Sequence, residues 1–148
     1  MLKKIALGLT FALAFVTMAP SVAYAANNQN EINCLAQNIY FEAGNQPERG
    51  KIAVATTVMN RIRDGRFGSS ACSVIHQRTK RTCQFSWVCT HAKVRDRKLY
   101  ASVIPIAERV YNGQTNDPSN GSLFFRSTRL TCKHRYAIRI GQLVFYKV

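Results

Sequence analysis

Asn38-Ile39-Tyr40-Phe41-Glu42-Ala43-Gly44-Asn45-Gln46-Pro47 decides how this chain is read. Upstream and within it, Ile32, Leu35, Ala36, Ile39 and Ala43 recur at the spacing of one helical face. The spacing predicts a helix over 31–43. Gly44 is placed to stop it, and Pro47 to open a second helix over 47–63. Glu42 falls at the edge of the apolar stripe, in the last turn. The chain has only seven Asp and Glu against 21 Lys and Arg, so an acid set among apolar residues calls for a reason. Helix carbonyls at the C-terminal end disfavour its negative charge, and burial beside Tyr40 and Phe41 pushes the same way. Both raise a carboxyl pKa, which suits a general acid near neutral pH.

Working outward, residues 1–25 read as a secretory signal. Lys3 and Lys4 precede an apolar run from Ile5 to Met18, and Ala23-Tyr24-Ala25 is a small-x-small cleavage site. The apolar run is short for a membrane span. Residues 26–148 then form one domain with a modest core and no second apolar span. The second helix has Ile52, Ala55, Met59 and Ile62 as its buried stripe, widened by Val54 and Val58; Asn60 and Arg61 hold it to its neighbours. Residues 72–77 are a short helix or extended piece. A further helix covers 97–112, with Leu99, Val103, Ile106 and Val110 inward. Pro105 should kink or restart it, and Gly113 closes it. Asn116 to Gly121 is turn chemistry. Residues 123–125 and 139–147 look extended and pair as a small antiparallel sheet. The expected class is mainly helical α+β.

The net charge is +14. Such charge ordinarily points to nucleic acid, but export redirects it to the anionic cell envelope surface. The expected setting is secreted or periplasmic, with no nucleic acid, no stable membrane span and a monomeric state. Outside the cytoplasm, Cys34, Cys72, Cys83, Cys89 and Cys132 favour disulfides. Five is odd, so at least one is free or bridges another chain. Cys83 and Cys89 are placed to close a loop on themselves, with Cys72 a competing partner. A nucleophilic cysteine with His76, His91 or His134 is the sharper alternative. Cys83, Cys89 and His91 match no tight zinc spacing, so no metal and no cofactor are expected.

The ordered set Asn38 to Ala43, Pro47, Gly50, Ile52-Ala53-Val54-Ala55 and Val58-Met59-Asn60-Arg61 resembles the cell-wall hydrolase family of the spore cortex-lytic enzymes SleB and CwlJ. Val74-Ile75-His76-Gln77, Cys83-Gln84-Phe85-Ser86-Trp87, Asp117-Pro118 with Gly121, Ile140-Gly141 and Phe145-Tyr146 continue it. The resemblance implies a lysozyme-like or lytic-transglycosylase-like domain. Its substrate would be the glycan strand of peptidoglycan, cut between N-acetylmuramic acid and N-acetylglucosamine. Glu42 would be the key glutamate, with Gln84 to Ser86 beside the cleft. Two departures stand out. Gly44-Asn45-Gln46 replaces the usual Arg-Gly-Glu, and Leu123-Phe124-Phe125-Arg126 replaces a histidine-containing segment.

Glycoside cleavage needs a proton for the leaving oxygen. Glu42 supplies it. Glu48 and Asp117 are the remaining choices for a second acid, but one complements a helix start and the other caps its own turn. A lytic transglycosylase uses a single glutamate as acid and then base, so the scarcity of carboxylates favours that route. Gln84 offers hydrogen bonds to sugar groups, Ser86 to either Glu42 or the substrate, and Tyr40 and Trp87 offer flat faces to sugar rings. For both aromatics a place in the core competes. Two other classes remain: a non-catalytic peptidoglycan-binding module on the same scaffold, and a basic membrane-active envelope protein.

Overall fold

The computed structural model describes residues 21–127 and 135–147. Five helices come first: α1 (Ser21–Ala43), α2 (Glu48–Asp64), α3 (Ala71–Ile75), α4 (Ser86–Cys89) and α5 (Arg97–Tyr111). Three strands follow: β1 (Phe124–Arg126), β2 (Arg135–Ile140) and β3 (Leu143–Lys147). They form an antiparallel sheet in the order β1-β3-β2. The class is mainly helical α+β with a small C-terminal sheet. Among the described residues, no helix is long and apolar enough to cross a membrane.

The predicted face of α1 is the buried one. Ile32, Leu35, Ala36, Ile39 and Ala43 are all buried, against α5, α2 and α3. Among the described residues the helix already runs at Ser21, ahead of the expected Glu31, so the expected cut after Ala25 would fall within it. Residues 1–20 of the expected signal lie outside the described residues.

Helix α2 is rotated from its predicted stripe. Ala53, Val54, Ala55 and Val58 are fully buried, while Ile52, Met59 and Ile62 are half-buried. The cause is a second neighbour. Ala55 and Val58 face the helical core. Ala53 and Val54 face the sheet, against Ile140, Leu143 and Phe145. A helix covered on two sides shows a wider buried arc than one amphipathic stripe.

Helix α5 runs on through Pro105 without a restart. Pro105 and Ala101 are both exposed, so water can reach the Ala101 carbonyl that the proline leaves without a donor. The predicted extended run 139–147 is a hairpin. Ile140 pairs with Leu143 across a two-residue turn, and Gly141 sits at φ +57°. That turn needs positive φ at its first position, which glycine supplies. A Cβ there would also meet Gln46 Oε1 at 2.6 Å.

Gln46 is the hinge pin between helices and sheet. It is 7% exposed, its Oε1 accepts from the Gln142 N–H at 3.0 Å, and its Nε2 donates to Gln142 Oε1. Gly44 ends α1 by close approach rather than by positive φ. A Cβ there would lie 2.6 Å from the Tyr40 carbonyl oxygen and 3.1 Å from Leu99 Cδ2. Two disulfides, Cys34–Cys72 and Cys83–Cys89, staple the domain. Cys132 and His134 lie outside the described residues.

Candidate active site

The last turn of α1 carries Glu42 into a cleft of about 460 Å³. Arg61 from α2 faces this cleft, as do Gln84 and Ser86 from the disulfide loop and Phe125 and Arg126 from β1. The Glu42 side chain is half-buried, and burial pushes its carboxyl pKa upward. No hydrogen bond or ion pair reaches it among the described residues. An acid held in that way keeps its proton at a higher pH than an exposed glutamate does.

Each of the other six carboxylates has a place elsewhere. Glu31 accepts from the Cys72 N–H at 3.0 Å. Glu48 pairs with Arg109 on an exposed surface, and Asp64 pairs with Arg66. Asp96 caps α5 by accepting from the Leu99 N–H at 2.9 Å. Glu108 is exposed on α5. Asp117 is the most heavily used. It accepts from Thr56 Oγ1 at 2.9 Å, Asn60 Nδ2 at 2.9 Å, the Ser119 N–H at 2.8 Å, Ser119 Oγ at 2.6 Å and the Gly121 N–H at 2.8 Å. Burial pushes its pKa up, but the donors from Ser119, Asn60, Gly121 and Thr56 together hold it below the ordinary value. Asp117 therefore fixes the turn before β1 onto α2.

The loop from Cys83 to Cys89 alternates. Phe85 and Trp87 are buried; Gln84 and Ser86 are exposed. The disulfide closes this loop at both ends, and the Gln84 N–H donates to the Gln77 carbonyl at 2.8 Å. Buried aromatics thus aim two polar side chains into the cleft.

Arg61 is the residue sequence reasoning undervalued. It is 2% exposed, and its Nε donates to the Leu123 carbonyl at 2.7 Å. With its amide oxygen turned inward, Gln84 accepts from Arg61 Nη1 at 3.0 Å and Nη2 at 3.2 Å. The guanidinium lies over Phe67, Phe124 and Phe85, at 5.1, 5.4 and 5.8 Å from their centroids. Burial lowers its pKa to about 10. It stays charged at neutral pH with no carboxylate partner among the described residues. A signal existed: Val54, Val58 and Arg61 share one helical face, which puts a cation on the buried side.

Tyr40 and Trp87 are not among the residues lining the Glu42 cleft. Trp87 is 9% exposed and stacks on Phe41 with centroids 4.7 Å apart. It braces the helical turn that holds Glu42. The Tyr40 hydroxyl accepts from the backbone N–H groups of Arg95 and Asp96, at 3.2 and 3.1 Å. Its ring lines a separate cleft with Phe41, Gly44 and Asn45. Gln46, at the place of the acid in Arg-Gly-Glu, is spent on the hairpin.

Four of the cysteines are in disulfides, so none of these four is a free nucleophile. His76 and His91 are exposed. Among the described residues, no group of three His, Cys, Asp or Glu is placed to hold a metal ion.

Comparison with known proteins points one way. A family model described as Cell Wall Hydrolase matches residues 45–146, a span that begins just after Glu42. The spore cortex-lytic enzyme of Halalkalibacterium halodurans is 30% identical over 105 residues, covering 68% of this chain and 28% of the relative. The spore cortex-lytic enzyme of Bacillus subtilis is 29% identical over 110 residues, covering 70% of this chain and 33% of the relative. The chain thus spans about a third of the length of these curated relatives. No solved structure matches it.

Proposed function

The chain belongs to the cell wall hydrolase family, and on that footing we propose that it cleaves peptidoglycan glycan strands between N-acetylmuramic acid and N-acetylglucosamine, as a lytic transglycosylase. One observation carries the reading. Among the described residues Glu42 is the lone carboxyl group lining the cleft, its pKa is raised, and every other acidic side chain is engaged elsewhere or exposed outside it.

The chemistry follows from one acid. Glu42, protonated, gives its proton to the glycosidic oxygen as the C1–O bond breaks. The resulting carboxylate then takes the proton from the muramyl C6 hydroxyl while that oxygen bonds to C1. The product is a 1,6-anhydro end; no water is consumed and Glu42 regains its proton. Gln84 directs its amide oxygen to Arg61, which leaves its N–H donors for an acetamide or hydroxyl of the sugar. Ser86 provides a second hydrogen-bonding group on the same wall. Trp87 acts from beneath by holding Phe41. Tyr40 offers its ring to sugar units bound further along, in the flanking cleft.

The protein works outside the cytoplasm, after removal of residues 1–25. Its two disulfides and the cell-wall character of the family support that setting. The test is solubilisation of purified peptidoglycan by oxidised protein, wild type beside Glu42→Gln. Release by wild type and loss of about a thousandfold or more in the variant is expected for removal of a general acid. Tight binding without release by wild type would instead favour a non-catalytic binding module. Lysis that survives the substitution would favour membrane action.

A further inference from the structure

The cleft carries a charge imbalance that its own residues leave open. Among the described residues, its lining holds one carboxyl group, Glu42, and two guanidinium groups, Arg61 and Arg126. Neither arginine pairs with Glu42 or with any other carboxylate among the described residues. The two differ in what occupies them. Arg61 is buried and committed to Leu123, Gln84 and three rings. Arg126 is exposed, with no hydrogen-bond or ion-pair partner among the described residues. Its backbone is fixed opposite Val144 in the β1–β3 ladder. The strand thus places a guanidinium with unused donors in the lining of the cleft that holds the acid.

The imbalance extends along the surface. A second cleft of about 410 Å³ shares Cys83 and Gln84 with the first and adds Arg78 and Arg66. Arg66 is neutralised by Asp64, whereas Arg78 has no carboxylate partner among the described residues. Hydroxyls and acetamides of a glycan backbone do not call for such a field. A carboxylate does, because a planar guanidinium matches it with two parallel N–H···O bonds.

We propose that Arg126 is a specificity-determining binding residue that takes a carboxylate carried on the muramyl branch of the strand, with Arg78 extending the same anion-binding surface along the adjoining cleft. This deepens the proposed function and rests on it for the identity of the strand. The shared chemistry has two sources. In strands stripped of peptide the lactyl carboxylate is free. In peptide-bearing strands that group is an amide, and the stem peptide supplies the carboxylates.

Binding is measured by sedimentation depletion in a Glu42→Gln background, so that no strand is consumed. Four preparations serve as probes: peptide-bearing and peptide-stripped strands, each with carboxylates free or methyl-esterified. Adding Arg126→Gln should weaken binding to free-carboxylate strands by roughly threefold to tenfold, and leave binding to the esterified strands unchanged. Arg126→Lys should recover part of the loss. Arg49→Gln removes an exposed charge from the first turn of α2 and controls for net charge; it should not distinguish free from esterified strands. An effect confined to stripped strands assigns the lactyl group, one confined to peptide-bearing strands assigns the stem peptide, and either supports the subsite. An Arg126→Gln effect equal on free and esterified strands, or absent from both, overturns it. Wild-type turnover on the same strands separates the two readings. Carboxylate-dependent binding without turnover retires the enzyme and keeps the subsite; turnover with binding indifferent to esterification does the reverse.

Discussion

Replacing Asp117 by asparagine separates a structural acid from a catalytic one. Oδ1 accepts from Thr56 and twice from Ser119, and Oδ2 accepts from Asn60 and the Gly121 N–H. Asparagine keeps one oxygen. In its better placement the new amide nitrogen stands where Oδ2 was and meets two donors. Two charge-assisted bonds are lost, at about 1.5 kcal/mol each. Gly121 is exposed and regains water, so the net cost is about 2 kcal/mol. For a domain of this size that lowers the melting temperature by roughly 8 °C. The loss is pH-dependent. Because the folded pKa of Asp117 is lowered, its contribution is present above the ordinary aspartate pKa and fades as pH falls through the folded value. Wild type and variant should therefore converge in acid. The assay is thermal unfolding by circular dichroism across pH, beside the rate of peptidoglycan solubilisation well below the transition. Turnover per folded molecule should stay within about twofold of wild type. A variant that melts like wild type yet loses turnover as Glu42→Gln does would make Asp117 a second acid and refute the reasoning.

The raised pKa of Glu42 places the alkaline limb of the rate profile above the ordinary glutamate range, because the acid must be protonated to act; an initial-rate series across pH measures it. The same shift costs stability as pH rises through the interval between the ordinary and the raised value. Glu42→Gln should thus melt higher than wild type at neutral pH, with the gap closing in acid. The two disulfides should differ in weight. Chain entropy gives about 4 kcal/mol for Cys34–Cys72, with 38 residues of separation, and about 2 kcal/mol for Cys83–Cys89, with six. Urea unfolding of the Cys34→Ser/Cys72→Ser and Cys83→Ser/Cys89→Ser proteins measures both, and the second pair should cost more turnover than stability. Gly141→Ala sets a Cβ against Gln46 and strains a left-handed turn, at about 2 kcal/mol; Gln46→Ala should relieve part of that cost in a double-mutant cycle.

The buried face of α1 and the acid at its end were legible because one apolar stripe and one misplaced acid sit on the same periodic element. Asp117 was legible as a cap because Asp-Pro-Ser-Asn-Gly is turn chemistry. Other features depend on packing that no local pattern records. The buried arc of α2 widens because a sheet formed some ninety residues later covers Ala53 and Val54. The hairpin at Gly141 hid inside an apolar run, since β3 is the central strand and Leu143 to Tyr146 are all buried. A strand buried on both faces reads as continuous apolar sequence rather than as alternation. Arg61 ties α2 to the segment before β1 through its bond to Leu123, as its place in the sequence suggests. Its place in the cleft depends on rings from three separate segments. Trp87 and Tyr40 have the right chemistry for sugars, yet Trp87 is stacked on Phe41, and Tyr40 turns its hydroxyl to the backbone of Arg95 and Asp96 and its ring to a different cleft.

The central claim is that one carboxyl group, Glu42, performs the cleavage with no water consumed. Its most direct test is mass spectrometry of soluble products from purified peptidoglycan digested in oxygen-18 water, with wild type and Glu42→Gln side by side. The account predicts muramyl ends lighter by one water and free of the label from wild type, and no products from the variant. Labelled reducing ends from wild type would contradict it, and would require a second group to activate water.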